Sequence, residues 1–316
     1  MVDISVVVPV YKSEGGLAEL YQQVSDALRG KRYELILVDD QSPDGSWESI
    51  KKLCEADPTV VGIRLRKNAG QDSALMAGLR HVRGSFAVIM DDDLQHSPYD
   101  IPRLLEACVA HEWDVCYAHF VSFRHVWWKR IGSWLNGKLA EIVIDKPKHV
   151  YLSPFKVLRR EIVEEVVRYT GPFPYVDGLI LNVTHRLGHV DAMHNPRYQG
   201  ESNFGLTKSV KVFMRLMTGF SIWPLRFAAR LGMYFSLFGF ALVFFYLFQY
   251  LVLAQHVEGW MTIVSLQLII GGILLLSIGL VGEYLGRLYL TCNGKPQSTV
   301  SECLNTSKLP VERNGA

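Results

Sequence analysis

The sequence predicts an α/β domain on a mainly parallel, doubly wound sheet, followed by helices that meet a membrane. Three observations carry this. Strand and helix signals alternate regularly through about residue 120, the pattern of strand–helix–strand units. Successive strand signals end in acidic or polar residues. Beyond about residue 230, two long stretches lose all formal charge. The 316 residues suggest roughly two domains. A net charge of +2 gives no bulk argument for binding nucleic acid, and no nucleic-acid partner is expected. The five cysteines (Cys54, Cys108, Cys116, Cys292, Cys303) form no CxxC pair and no metal-ligand spacing, so they read as reduced, mostly buried thiols.

Taken in order, ISVVVPV at residues 4–10 is a buried strand. It is too short for the apolar core of a signal peptide, and Asp3 flanks it, so no secretory signal is expected. Residues 19–28 follow a helical pattern. Residues 34–38 are a second strand, ending at Asp39 and Asp40. The turn Ser42-Pro43-Asp44-Gly45 opens a helix to about Cys54. Residues 60–65 are a third strand. A small-residue helix with Ala74, Ala77 and Gly78 starts at Asn68 or Gly70. Residues 86–90 and 114–117 are the fourth and fifth strands.

The stretch VIMDDDLQH, residues 88–96, is the centre of the pattern. An apolar strand ends in three carboxylates that repel one another unless a cation gathers them. On an extended backbone Asp91 and Asp93 share a face and Asp92 points away. Asp91 and Asp93 then suit a hard divalent ion, Mg2+ or Mn2+, with Gln95 as a neutral oxygen ligand. The plainer alternative is a solvated acidic turn before a helix capped by Ser97, with Pro98 at its first position. Recurrence favours a shared site: Tyr11 and Glu14, then Asp39 and Asp40, then the three aspartates all stand at strand exits, where such sheets bind ligands. The glycine loops GxGxxG and GxxxxGK[ST] are absent, so a nucleotide diphosphate needs a metal to screen it. Tyr11 offers a face for a base. Asp39 or Asp40 can accept the imide N–H of uracil, or the N1–H and amino group of guanine.

The motifs VVVPVYKSE, ILVDDQSPDGS, NAGQDSALMAGL and MDDDLQH resemble, in order, those of family-2 glycosyltransferases with the GT-A fold. The resemblance is greatest to the polyprenyl-phosphate glycosyltransferases, the group of dolichol-phosphate mannose synthases and bacterial undecaprenyl-phosphate sugar transferases. RYQGESNFGLTKSVK, from Arg197, fits the same group. The resemblance implies that Pro9, Tyr11, Glu14 and Asp40 contact the nucleotide, with Val10, Asp39, Asp91 and Asp92 beside them. It implies a DxD metal motif of Asp91 and Asp93 with Gln95 close by, and catalytic roles for Asp93 and for Arg197 at the phosphates. Arg124, Asp177, Ser202 and Asn203 are the acceptor and phosphate candidates; Lys208 is a further cation with a plain reading as a solvated charge. The chain departs from the group at Gln41, where glycine is usual, and at Lys12, where asparagine is common. Asn203 and Phe204 replace a frequent Lys-Tyr, and His119 stands in a region where some relatives carry arginine.

VSFRHVWWKRIGSWLNGKL mixes Trp127, Trp128 and Trp134 with Arg124, Lys129, Arg130 and Lys138. That mixture suits a helix lying at a bilayer surface, as does the amphipathic segment 214–227. The stretches at about 231–255 and 260–282 are long enough to span a bilayer. Arg226 and Arg230 flank the first span, Arg287 and Lys295 follow the second, and the connector AQHVEG has no Lys or Arg. The expectation is an inner (plasma) membrane protein, multi-pass, with both termini and the catalytic domain cytoplasmic. Gly271, Gly272, Gly279, Gly282 and Gly286 allow close helix packing, and a homo-oligomer such as a tetramer is expected. The division is a GT-A catalytic domain at 1–207, interfacial helices at 208–229, two transmembrane helices within 230–290, and a polar, partly disordered cytoplasmic tail at 291–316.

The function expected is transfer of a single sugar from a nucleotide sugar, UDP-linked, to a polyprenyl phosphate such as undecaprenyl phosphate. It is metal-dependent and inverting, and supplies a lipid-linked donor for modifying cell-envelope glycans such as lipopolysaccharide. A processive polysaccharide synthase is the first alternative, disfavoured by the missing QxxRW signature and by having only two spans. A non-catalytic membrane protein that binds nucleotide sugar or lipid is the second.

Overall fold

The computed structural model describes residues 2–120, 152–192, 223–253 and 259–306. The chain forms two units, Met1–Asn203 with Gly294–Ala316, and Phe204–Asn293.

The first unit is built on an eight-stranded sheet. Its centre is β1 (Ile4–Val10), buried along its whole length. β1 runs parallel to β2 (Tyr33–Asp39) on one side and β4 (Phe86–Ile89) on the other, and β3 (Val60–Leu65) continues the parallel set beyond β2. A strand buried on both faces reads as a near-continuous apolar run, which ISVVVPV shows apart from Ser5, whose hydroxyl donates to Glu34. Helices α1 (Leu17–Ala27), α2 (Ser46–Ala56), α3 (Gln71–Leu79) and α4 (Ile101–Ala110) connect and cover these strands. On one face Val6, Val8 and Val10 pack with Leu17, Leu20 and Leu104 in the main core cluster. Each such side chain contributes roughly 1.5–3 kcal/mol by burial. On the other face α3 lies close against the sheet. A Cβ at Gly78 would come within 2.6 Å of Val7 Cγ1 and 2.9 Å of Val38 Cγ2, which explains the small-residue stripe.

The remaining strands make the sheet mixed. β6 (Lys156–Arg159) inserts antiparallel between β4 and β5 (Val115–Phe120), and β7 (Leu187–Ala192) runs parallel to β5 at the edge. Helices α5 (Arg160–Val167) and α6 (Val176–Val183) lie between β6 and β7 in sequence.

The tail read as polar and partly disordered carries a strand in its described part. Residues 300–304 form β8 (Val300–Leu304), antiparallel to β3 at the far edge. Trp47 Nε1 donates to Glu302 Oε2 at 3.2 Å, and Asn305 Nδ2 donates to the carbonyls of Cys54 at 2.7 Å and Val60 at 2.9 Å. Arg80 reaches Gln297 Oε1 at 2.9 Å. The tail's polar side chains therefore tie it to the domain, and β8 covers the β3 edge that would otherwise present unpaired N–H and C=O groups.

The second unit contains α7 (Trp223–Leu253) and α8 (Trp260–Cys292). Both outrun the expected spans. α7 takes in the end of the segment read as interfacial, while 214–222 and the tryptophan-rich 121–139 lie outside the described residues. α8 continues past 282 to Cys292, so Glu283 and Arg287, which pair at 3.0 Å one turn apart, lie on the helix rather than after it. Apolar windows run over Leu225–Leu242 and Ile269–Cys292. Their large side chains are exposed, Phe240 at 63% and Leu275 at 73%. Apolar side chains left uncovered along helices of this length make both helices long and apolar enough to cross a bilayer.

Candidate active site

Because β1, β2 and β4 are parallel, their carboxyl ends meet on one side of the sheet. A cavity of about 530 Å³ opens there. The exit of β1 lines it with Pro9, Val10, Tyr11, Lys12 and Ser13, and the exit of β2 with Asp40. The loop before α3 adds Asn68, Gly70 and Gln71, and the segment after β4 adds Asp91, Asp92 and Asp93. Each of the three exits turns through a left-handed residue: Lys12 at φ 59°, Gln41 at φ 54° and Leu94 at φ 58°. Side chains with a Cβ adopt this conformation at a cost of about 1–2 kcal/mol. Two of these residues, Lys12 and Gln41, are where the sequence departs from the asparagine and glycine usual in the group, the types best suited to positive φ.

The acidic segment differs from the expected alternation. β4 stops at Ile89, and the residues beyond it bend rather than extend. Asp92 is therefore not turned away: its Oδ2 accepts the Tyr11 N–H at 3.1 Å and the Ser13 hydroxyl. Asp91 Oδ1 accepts the Gln71 amide at 2.7 Å. Asp93 Oδ1 accepts the Gln95 N–H at 3.1 Å. Gln95 is thus engaged through its backbone and is not among the cavity's lining residues. Burial pushes the Asp92 carboxyl above its ordinary value, opposed by the Ser13 hydroxyl and the Tyr11 N–H.

Of the two acids at the β2 exit, Asp40 is the one on the cavity. Its carboxylate accepts the N–H groups of Ala69 at 2.7 Å and Gly70 at 2.9 Å, and its carbonyl accepts Asn68 Nδ2 at 3.2 Å. Burial raises its pKa despite those donors. Asp39 is fully buried behind it, accepting the Ser42 N–H at 2.9 Å, with Arg64 Nε 3.2 Å away. Glu14 also stands off the cavity: its Oε2 accepts the Gly45 N–H at 3.1 Å at the start of α2. Gly45 permits this approach, since a Cβ there would sit 2.4 Å from Glu14 Oε1.

Asp177, in the first turn of α6, sits in a different environment. Its Oδ1 accepts both the Lys156 ammonium and the Tyr117 hydroxyl, the latter at 3.1 Å. Lys156 is 2% exposed and Tyr117 is fully buried. Burial, with Asp177 adjacent, raises the Tyr117 phenol far above its usual value. His119, at the β5 exit, pairs through Nδ1 with Asp191 at 2.8 Å. Arg124, Arg197, Ser202, Asn203 and Lys208 lie outside the described residues. Sequence reasoning missed Lys156, Gln71, Asn68 and Ser13. A lysine inside the apolar run FKVL was the available signal for the first, and the motif NAGQDSALMAGL contained the next two.

Among the described residues no group of three or more His, Cys, Asp or Glu is placed to hold an ion. Two carboxylates, Asp91 and Asp93, do share the cavity wall. That donor set fits a small hard cation whose shell is completed by water and substrate phosphates, rather than an all-protein cage.

Comparison with known proteins gives the family. Residues 5–167 match Glycosyl transferase family 2, and residues 223–288 match the GtrB C-terminal hairpin. The chain is 30% identical over 315 residues to the undecaprenyl-phosphate 4-deoxy-4-formamido-L-arabinose transferase of Edwardsiella ictaluri, covering 98% of this chain and 97% of that one. It is 31% identical to the protein of that name from Pseudomonas paraeruginosa, covering 97% and 92%. Among solved structures it resembles glucosyl-3-phosphoglycerate synthase from Mycobacterium tuberculosis in complex with Mn2+, uridine diphosphate and phosphoglyceric acid. The TM-score is 0.52 at 18% identity, over 68% of this chain and 76% of that one, a likeness of fold alone. The acidic cavity on a GT-A-like sheet, the apolar hairpin and these matches agree: the chain is a glycosyltransferase and belongs to glycosyl transferase family 2.

Proposed function

We propose that the protein transfers one sugar from a UDP-linked donor to a polyprenyl phosphate, undecaprenyl phosphate foremost, at the cytoplasmic face of the inner membrane. The observation that carries this reading is the convergence of Tyr11, Asp40, Asp91, Asp92 and Asp93 on one cavity, in a chain with two bilayer-length apolar helices. The names of the relatives support the acceptor. The Mn2+ and uridine diphosphate bound by the structural neighbour support the donor and a divalent metal.

Tyr11, 46% exposed, presents a face for the base, and Asp40 lies on the same cavity for the base's N–H edge. Asp91 and Asp93 would hold Mg2+ or Mn2+, which when bound supplies positive charge against the departing diphosphate. The acceptor phosphate is already an anion at neutral pH, so no strong general base is needed. Its oxygen forms a bond to the anomeric carbon as the bond from that carbon to the diphosphate oxygen breaks, and the electron pair leaves with UDP. In-line displacement inverts the anomeric centre. The protein's contribution is positioning and charge stabilisation. Arg197 and Arg124, with Ser202 and Asn203, are assigned to the phosphates, and Asp177 to the sugar or acceptor side. The hairpin crosses the bilayer with both termini cytoplasmic, in a homo-oligomer.

The test is incubation of membranes holding the full chain with undecaprenyl phosphate and radiolabelled UDP-glucose, UDP-N-acetylhexosamines or GDP-mannose, followed by lipid extraction. Label in a single-sugar lipid from a UDP donor supports the reading. Polymer, label from GDP-mannose alone, or no labelled lipid from any donor rejects it.

A further inference from the structure

Five consecutive residues, 68–72, bond to Asp40 and Asp91 on one side and to the first residue of α6 on the other. Asn68, Ala69 and Gly70 all bond to Asp40. Gln71 holds Asp91 through its side-chain amide at 2.7 Å. Asp72 reaches the other way: its Oδ1 accepts the N–H of Val176 at 3.1 Å, the first residue of α6 and the neighbour of Asp177. The segment is tied at its backbone and along the helix that follows. Gly70, at φ 91°, makes the sharp entry into α3, and its N–H is fixed by the buried Asp40. From Ser73 onward the helix is buried against the sheet. Asp177 in turn is fixed from behind by Lys156 and Tyr117.

We propose that Gln71 and Asp72, adjacent on the first turn of α3, are positioning residues that register the donor-side carboxylate Asp91 against the acceptor-side carboxylate Asp177. This rests on the proposed function. One turn of helix sets the spacing between the two groups, because its two side chains bond in opposite directions while its backbone is pinned to Asp40. Gln71 acts on nucleotide and metal binding through Asp91. Asp72 acts on the transfer step through the N-terminus of α6. Since in-line displacement requires donor and acceptor held in near-attack geometry, a loosened α6 lowers turnover without loosening the nucleotide.

The experiment measures UDP affinity by calorimetry with Mn2+, steady-state transfer to undecaprenyl phosphate, and melting, on the purified full chain and its variants. For Asp72→Ala the expected result is at least a tenfold loss of kcat at saturating donor and lipid, with UDP affinity within about twofold of the parent. Asp72→Asn, whose amide oxygen still accepts the Val176 N–H, recovers most of that loss. Gln71→Ala, at an exposed position, shows the opposite split: weaker UDP binding and a raised donor KM, with kcat less affected. If Asp72→Ala does not melt cooperatively, Asp72→Glu, which lengthens the arm by one methylene, carries the test with the same expectations. Parental kcat in the alanine variant, no recovery with asparagine, or both positions moving the same parameter overturns the proposal. A parent chain that binds UDP but transfers no sugar rejects the acceptor reading and this proposal with it, whereas a parent that transfers normally isolates the failure to the roles given to Gln71 and Asp72.

Discussion

At the exits of β1, β2 and β4 carboxylates on the cavity accept hydrogen bonds from backbone N–H groups and neutral side chains: Asp40 from Ala69 and Gly70, Asp92 from Tyr11 and Ser13, Asp93 from Gln95. Beside β5 and β6 the arrangement is reversed, and Asp177 is held by the buried side chains Lys156 and Tyr117. The difference follows from what each wall has to do. On the proposed function, carboxylates that would meet a cation and a diphosphate have to stay charged and reachable, and dipolar N–H donors hold them without cancelling their charge. A carboxylate paired with a buried ammonium gives up that freedom for a fixed position. The first wall costs strain in left-handed turns. The second costs desolvation of an ion pair.

The largest contrast is in activity on the first wall. Asp91→Asn or Asp93→Asn should lower transfer by on the order of a hundredfold or more, as loss of charge stabilisation at a transition state does, with little change in melting temperature because both residues are partly exposed. Chelation with EDTA should give the same loss in the parent. Lipid-linked product formed at the parental rate by both variants would falsify the assignment of this wall to the donor.

On the second wall the effect moves to stability. Lys156→Met removes the cation and leaves Asp177 and the Tyr117 hydroxyl without it, and should cost about 3–5 kcal/mol. Adding Asp177→Leu removes the stranded charge and should return much of the melting temperature while leaving transfer lost. If the single and double variants melt alike, the pair is not the fixed element described, and the contrast between the walls fails.

The first wall was largely legible in the sequence because its signals are local. A strand that ends in acidic or polar residues announces itself within a few residues, and ISVVVPV before Tyr11 and Glu14, ILVDD and VIMDDD each did so. The second wall depends on KVLR and LGHVDA, two short strands separated by helices, whose pairing with β4 and β5 is decided by the sheet and not by their own pattern. β8 was hidden for the same reason: VSECL has exposed Ser, Glu and Cys at its centre and becomes a strand only because β3 needs a neighbour. The alternation argument for Asp91, Asp92 and Asp93 failed because it assumed an extended backbone past Ile89, where Leu94 at φ 58° closes a bend. The choice between Asp39 and Asp40 was open because both follow β2, and only the loop from β3 shows which faces the cavity.

A smaller effect measures the strain in the first wall. Gln41 at φ 54° pays for a Cβ in a left-handed turn, and it does not line the cavity. Gln41→Gly relieves the steric cost but adds freedom to the unfolded chain, for a net gain of about 0.5–1 kcal/mol. The check is a higher melting temperature with unchanged transfer. A lower melting temperature shows that the Gln41 side chain contributes more than its turn costs, and removes one of the three strained exits from the comparison.

The smallest effect concerns how the first wall carries charge. Burial raises the Asp92 pKa above the ordinary 3.8, against the Ser13 hydroxyl and the Tyr11 N–H, with Asp93 adding repulsion. Folding therefore favours its protonated form. Below pH 3.8 the folded and unfolded chains both hold the proton, and the group contributes nothing. As pH rises through the folded value, the ionised carboxylate becomes a stability cost that stays in full at neutral pH. Asp92→Asn keeps an oxygen for the Tyr11 N–H and the Ser13 hydroxyl but never ionises. The difference in melting temperature, variant minus parent, should thus rise from acid to neutral pH by an amount within about 2 °C for a chain of this size, while other titrating groups cancel in the subtraction. Transfer should fall less than in the Asp91 or Asp93 variants, because Asp92 is spent on the β1 turn. A difference that falls as pH rises means that the two donors outweigh burial, so that Asp92 is stabilised in its charged form and belongs with Asp91 and Asp93, the carboxylates proposed to hold the cation.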